Sequence, residues 1–306
     1  MHATRKTFDG RTSVTTTSTS PGYNGGTGNA DVLSGHGLDI GYDSHQISRG
    51  LDVVIPPASF TAIIGPNACG KSTLLRALSR LLKPTAGTVL LESKDIHGYR
   101  TRDVARRLSL LPQSSTAPDG ITVGDLVARG RFPHQGLLRQ WTDQDRSAVA
   151  SAMAATGITE LADRAVRELS GGQRQRVWLA LALAQDTPIM LLDEPTTYLD
   201  IAHQLDVLRL CRRLHRTGNY TLVTVLHDLS LAFRFADHVI AMKDGRIVAQ
   251  GPPAEIATPE LMREVYGIES VVIEDPATGG PLVVPLEPDE LAGPAATTAV
   301  GTRARA

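Results

Sequence analysis

The run Gly65-Pro66-Asn67-Ala68-Cys69-Gly70-Lys71-Ser72-Thr73 constrains this chain more than any other feature. It has the form G-x-x-x-x-G-K-[ST] and lies between an apolar run, Phe60–Ile64, and a helical pattern over Lys71–Arg80. A strand, a glycine-bearing turn and a helix start in that order aim backbone N–H groups and the positive helix end at one point. Glycine permits the close wrap. The predicted ligand is a polyphosphate, with Lys71 reaching its β- and γ-phosphates and the Ser72 hydroxyl ligating Mg²⁺. A ligand-free turn before a helix is the plainer reading, and the flanking strand and helix weigh against it.

The rest of the chain supplies a matching architecture. Short runs rich in β-branched and aliphatic residues alternate with helical patterns. Strands are predicted at Leu51–Ile55, Thr88–Leu91, Leu108–Leu111, Ile189–Leu192, Thr221–Leu226, His238–Met242 and Arg246–Ala249. Asp244-Gly245 marks a hairpin turn between the last two. IMLL and TLVTVL are apolar on both faces, as strands buried in a parallel sheet between helices must be. Helices are predicted over Gln173–Ala184, Ile201–Arg216 and Leu229–Ala236. A mostly helical stretch, residues 120–167, interrupts the strand series. Residues 1–33 are rich in Thr, Ser and Gly and read as a disordered tail. A terminal hairpin is predicted over residues 271–286, and a loose tail over 287–306.

Composition closes off other classes. A net charge of −1 in 306 residues gives no overall basic field, so nucleic acid is not an expected partner. Two cysteines, Cys69 and Cys211, build neither a disulfide framework nor a paired-cysteine zinc motif. No apolar run is long enough to cross a membrane. No secretory leader is expected, so a role at a membrane requires an integral partner.

Pro188-Ile189-Met190-Leu191-Leu192-Asp193-Glu194-Pro195 is an apolar strand ending in two carboxylates. Open α/β sheets bind ligands at the carboxyl ends of their strands. Asp193 is placed to hold Mg²⁺ and Glu194 to act as general base toward water. An acidic pair alone is often only a solvated strand end; the phosphate loop gives this one its meaning.

Leu169-Ser170-Gly171-Gly172-Gln173-Arg174-Gln175-Arg176 precedes that strand. Ser170 and two glycines open a helix and present free N–H groups, forming a second anion site. This run resembles the signature motif of ATP-binding cassette ATPases, and the resemblance covers about residues 34–270. It implies an α/β fold: a P-loop NTPase cassette with a mostly parallel sheet core, an antiparallel β edge subdomain and an inserted helical subdomain at about 120–167. It also implies that Ser170, Gly172, Gln173 and Asp200 serve ATP held by a second copy. Tyr42 matches the aromatic that stacks on adenine. Gln113 matches the glutamine that contacts Mg²⁺ and the attacking water, and His227 the histidine that contacts the γ-phosphate. One departure stands in the loop, where Ala68 replaces the usual glycine.

The runs Ala128-Arg129-Gly130-Arg131-Phe132-Pro133-His134-Gln135, Leu138-Arg139-Gln140-Trp141 and Thr196-Thr197-Tyr198-Leu199-Asp200-Ile201-Ala202-His203-Gln204 resemble subunits that energise ferric-siderophore uptake. Close relatives of those serve haem and cobalamin. The resemblance implies a homodimer of cassettes with two integral-membrane permease subunits and an extracytoplasmic siderophore-binding protein. The chain is then peripheral, at the cytoplasmic face of the cell membrane. Arg129, Arg131 and Arg139 are either partner-facing or a solvated basic face. Soluble cassette ATPases of translation or DNA repair fit less well, because this chain has one cassette and no sustained heptads. A non-catalytic nucleotide-binding regulator would not need both Glu194 and His227.

Overall fold

The computed structural model describes residues 32–43, 45–114, 116–136, 141–197 and 199–287. Of the predicted tails, 1–33 and 287–306, residues 1–31 and 288–306 lie outside the described residues, as do Tyr198, Leu138, Arg139 and Gln140. Leu33, assigned to the first tail, is instead a buried strand residue, because its side chain enters the apolar cluster beneath the antiparallel sheet. The chain opens with strands β1 (Leu33–Tyr42), β2 (His45–Ile55) and β3 (Phe60–Ile64), then helix α1 (Lys71–Leu78), β4 (Ala86–Leu91) and β5 (Lys94–Asp95). Next come α2 (Thr101–Ala105), β6 (Leu108–Leu111), α3 (Val123–Ala128), α4 (Asp143–Thr156), α5 (Gly171–Ala184) and β7 (Ile189–Leu192). They are followed by α6 (Ile201–Gly218), β8 (Thr221–Val225), α7 (Leu229–Phe235), β9 (His238–Lys243) and β10 (Arg246–Gly251). The described chain closes with α8 (Pro253–Ile256), α9 (Pro259–Tyr266), β11 (Ser270–Glu274) and β12 (Pro281–Pro285).

A six-stranded sheet in the order β10-β9-β3-β8-β7-β6 forms the centre, parallel throughout except for β10. Side chains alternate across it, as the two-residue strand period requires. Ala62, Ile64, Met190 and Leu192 face a cluster with Leu179 of α5, Leu208 of α6 and Met262 of α9. Ile63, Ile189, Leu191 and Val225 face the other way, toward Leu74 and Leu75 of α1 and the second sheet. Both faces are dry, which explains the unbroken apolar runs.

The second sheet, β2-β1-β4-β5, is antiparallel. Its strand β1 was not among the predicted ones. Its sequence, LSGHGLDIGY, contains three glycines and register shifts that break the alternation. Its backbone nonetheless buries Leu33, Leu38 and Ile40 completely. Gly87 shows how close the packing is: a Cβ there would lie 2.2 Å from the Gly37 carbonyl oxygen.

Helices α3 and α4 lie within residues 120–167 and have their own apolar cluster, Val123, Leu126, Val127, Ala152 and Met153. That cluster takes Val177, Ala180 and Ala184 from one side of α5, while Leu179 and Ala182 face the central sheet. Helix α5 is therefore apolar nearly all round and joins the helical region to the core. Strands β11 and β12 pair antiparallel, and Val283 is buried in the central cluster.

The arginines of the 129–135 run divide. Arg129 is exposed. Arg131 is neither partner-facing nor solvated: it is 1% exposed and ranks among the largest fully buried side chains. Its Nε donates to Asp145 Oδ1 at 2.9 Å and its Nη1 to the Ala184 carbonyl at 2.9 Å. Asp145 closes a capping box with Thr142 at the start of α4. One guanidinium thus pins α4, the end of α5 and the 129–131 turn together.

Candidate functional site

The phosphate loop is built from backbone that few residues adopt. Gly65 has φ 146° and Gly70 φ 105°, and a Cβ at Gly65 would meet the Met242 carbonyl oxygen at 2.2 Å. Ala68 takes a left-handed φ of 61°. Its methyl is exposed, so the departure from glycine strains the backbone rather than crowding the loop. Pro66 and Asn67 form the outer bend. The Cys69 side chain turns inward into the apolar cluster, where burial pushes its thiol up despite nearby Lys71. Cys69 therefore has only backbone to offer a ligand.

Lys71 opens α1 and is buried. Its Nζ donates to the carbonyls of Gly65 at 2.8 Å and Pro66 at 2.7 Å, so the ammonium sits at the loop's centre. Ser72 Oγ, the next residue on the helix, donates to Asp193 Oδ1 at 2.8 Å. Thr73 is buried beneath. Asp193 follows β7, and its backbone N–H donates to the Leu111 carbonyl at the end of β6. Burial raises the Asp193 carboxyl above its ordinary value, against the hydrogen bond from Ser72.

Glu194 takes φ 53°, which turns its side chain away from that of its neighbour. Three groups meet its carboxylate. Gln113 Nε2, just past β6, donates at 2.6 Å and Thr197 Oγ1 at 2.9 Å, while His227 Nε2, just past β8, lies at 2.7 Å. Burial alone would raise this carboxyl. The hydrogen bonds from His227, Thr197 and Gln113 outweigh it and hold Glu194 below its ordinary value. Residues 113, 193, 194 and 227 thus converge from the ends of three adjacent strands, with Lys71 and Ser72 beside them.

Tyr42 ends β1, 39% exposed, and Arg76 Nη1 of α1 donates to its hydroxyl at 2.8 Å. The ring is tethered at the edge of the loop's helix, with much of its surface open.

A second group of predicted residues forms a separate cluster. Ser170 caps α5: its Oγ accepts from Gln173 N at 3.3 Å, and Gln173 Oε1 accepts from Ser170 N at 3.1 Å. Gln173 thereby commits its side-chain oxygen to the cap. Gly172 lies in the first turn. Asp200 caps α6, accepting from His203 N at 2.9 Å, and His203 Nδ1 lies 2.7 Å from the same oxygen.

Thr197 and His203 carry no role of their own in the sequence reading beyond membership of the 196–204 run, and Arg76 carries none at all. Thr197 and His203 stand three residues after Glu194 and Asp200, the spacing at which a turn or first helical turn closes. Arg76 carried no comparable local signal.

A sequence model described as ABC transporter matches residues 48–197. The ferric enterobactin transport ATP-binding protein FepC of Escherichia coli is 56% identical over 83% of this chain and 94% of its own length. The chain belongs to the ABC transporter family. Another relative, the petrobactin import ATP-binding protein FpuD of Bacillus anthracis, is 50% identical over 81% of this cassette chain and 91% of its own. Solved cassettes agree with the fold. A metal-chelate type ABC transporter in an inward-facing conformation covers 85% of this chain and 99% of its own, with a TM-score of 0.73 at 27% identity. The cassette MJ0796, seen as a dimer after hydrolysis with ADP and Pi, gives a TM-score of 0.64 at 25% identity over 72% of this chain and 98% of its own. As an ABC transporter subunit, this chain is an ATP hydrolase that drives transport.

Proposed function

We propose that this cassette energises uptake of ferric siderophores, working as a homodimer on two permease subunits at the cytoplasmic face of the membrane. The relatives named for ferric enterobactin, petrobactin and iron(3+)-hydroxamate import support the substrate class. Among the described residues no helix is long and apolar enough to cross a membrane, so the permease supplies the span. An extracytoplasmic siderophore-binding protein completes the system.

The observation that carries the hydrolytic reading is the convergence of Gln113, Asp193, Glu194 and His227 beside Lys71 and Ser72. Ser72 Oγ, Asp193 and the Gln113 side-chain carbonyl are hard oxygen donors, the set that suits Mg²⁺. When bound there, Mg²⁺ neutralises developing charge on the phosphate oxygens. Lys71 and the loop N–H groups hold the β- and γ-phosphates. Tyr42 stacks on adenine. Glu194 accepts the proton of the attacking water, Gln113 orients that water, and His227 donates to the γ-phosphate. Ser170 and Gly172, presented by the cap that Gln173 holds, close together with Asp200 over the nucleotide of the opposite copy.

Replacing Glu194 by Gln removes the base. ATP turnover should fall by about 10²- to 10⁴-fold while ATP binding persists. Turnover measured by phosphate release that stays at the wild-type rate would refute the assignment. The substrate class is tested by uptake of radiolabelled ferric siderophores in cells lacking the chain. Restoration by the wild type and not by Glu194→Gln supports the proposal. Restored cobalamin or haem uptake with no iron-chelate uptake replaces it.

A further inference from the structure

Hydrolysis as described leaves one side chain of the second cluster without a task. His203 lies in the first turn of α6. Its Nδ1 is 2.7 Å from Asp200 Oδ1, and an ionised carboxylate only accepts, so this nitrogen carries the proton and donates. The opposite edge of the ring lies over Gly172. A Cβ built on Gly172 would stand 2.7 Å from His203 Cδ2 and 3.2 Å from Nε2. Any side chain at 172 would have to displace the imidazole. One turn further along both helices, Arg176 Nη2 donates to Asp206 Oδ2 at 3.0 Å. The starts of α5 and α6 are therefore joined at two successive levels, and the level nearest the helix ends is the His203 ring.

We propose that His203 is a positioning residue that locks Asp200 onto the Ser170–Gly172 turn, so that both close on the opposite copy's nucleotide as one rigid unit. This rests on the two-chain site proposed above. The physical reason is preorganisation. Asp200 is extended at the end of the segment that leads from Glu194, and its carboxylate is largely exposed. The backbone cap from His203 N survives loss of the ring, but it fixes Asp200 only to its own helix. The ring alone reaches both Asp200 and Gly172. Without it, the Arg176–Asp206 pair still joins the two helices one turn further along, but Asp200 and the Ser170–Gly172 turn must be ordered as the dimer closes, and that ordering weakens closure.

The full chain carrying Glu194→Gln provides the test, because slowed hydrolysis lets an ATP-held dimer accumulate. Dimer is measured by light scattering against ATP concentration, with His203 retained or changed to Ala, Asn or Gln. His203→Ala should raise the half-saturating ATP concentration about tenfold, the size of one lost hydrogen bond to a charged group. His203→Asn keeps an N–H donor where Nδ1 stood and should recover most of the loss; His203→Gln should not. ATP affinity of the separate chain, read with a fluorescent analogue at low protein concentration, should stay constant across the set. Dimerisation of His203→Ala at the parent's ATP concentration overturns the proposal. So does an Asn variant as impaired as Ala, or a parallel fall in single-chain affinity, which marks a general structural defect. A parent that stays monomeric at saturating ATP overturns the two-chain site itself, and this proposal with it.

Discussion

The two clusters on this chain differ in how they are held. Around Lys71 and Glu194, nearly every polar group has an internal partner, and Lys71 and Asp193 are 5% and 3% exposed. Around Ser170 and Asp200, the side chains face outward: Asp200 is 66% and His203 46% exposed. The first cluster rises from the ends of parallel strands, whose register fixes it to within a side chain's reach. The second stands on two helix starts, tied by a capping box and one imidazole. Groups whose partners lie within the chain can be buried, as Lys71 and Asp193 are, although Gln113 and His227 at the rim of the same cluster stay exposed. A half-site to be completed by another chain has to remain open, and here it is kept in order by caps rather than by packing.

The sharpest way to break this contrast is to disable each half separately. Lys71→Ala should lower ATP turnover by about 10³-fold or more and weaken ATP binding to the separate chain. Ser170→Arg places a bulky cation on the open half. It should lower turnover by about 10²- to 10³-fold and leave single-chain ATP affinity at the wild-type value. Phosphate release and fluorescent-nucleotide titration read the two quantities. If Ser170→Arg also lost single-chain affinity, both clusters would serve one nucleotide and the distinction would collapse.

A third test concerns the scaffold between the clusters. Arg131→Ala leaves Asp145 buried without its partner and should cost about 3 kcal/mol in denaturant unfolding. Replacing both, Arg131→Met with Asp145→Leu, should recover most of that loss. The same pair sets an acid dependence. Burial raises the Asp145 carboxyl, but hydrogen bonds from Arg131 and Thr142 outweigh it and hold the group below its ordinary 3.8. Its stabilising contribution is therefore fully present above that value and is lost as pH falls through the lower folded one. The double variant should lose less stability than the wild type over that acid range.

The smallest expected effect lies in the phosphate loop. Ala68→Gly relieves a left-handed alanine but frees the unfolded chain. The net gain should be at most about 1 kcal/mol, seen as a slightly raised melting temperature with turnover little changed.

Much of this was legible because its signals are local. The phosphate loop, the acidic strand end and the Ser170 cap each fit within ten residues, and each carries a pattern with a mechanism behind it. Helix α9, absent from the predicted elements, has equally local signals: Thr258 caps it, Pro259 opens it and Gly267 ends it. Strand β1 was not. Its glycines break the alternation, and what makes it a strand is its place between β2, which follows it directly, and β4, some fifty residues on. The burial of Arg131 was equally hidden, because its partners come from the start of α4 and the end of α5. A charge in a basic-looking run says nothing about which way it points until those helices are placed. The Glu194 carboxylate combines both cases: Thr197 is a local partner, while Gln113 and His227 arrive from neighbouring strands.

The inward turn of Arg131 also bears on how such a chain can diverge. Within the 129–135 run, Arg131 and Gln135 are buried, while Arg129 and Phe132 are exposed. Exchanging an exposed residue typically shifts stability by no more than about 0.5 kcal/mol, whereas the buried ion pair tolerates almost no single change. The run is thus part keel and part hull. Position 129 can therefore be rewritten in a single step, while 131 can change only in concert with 145.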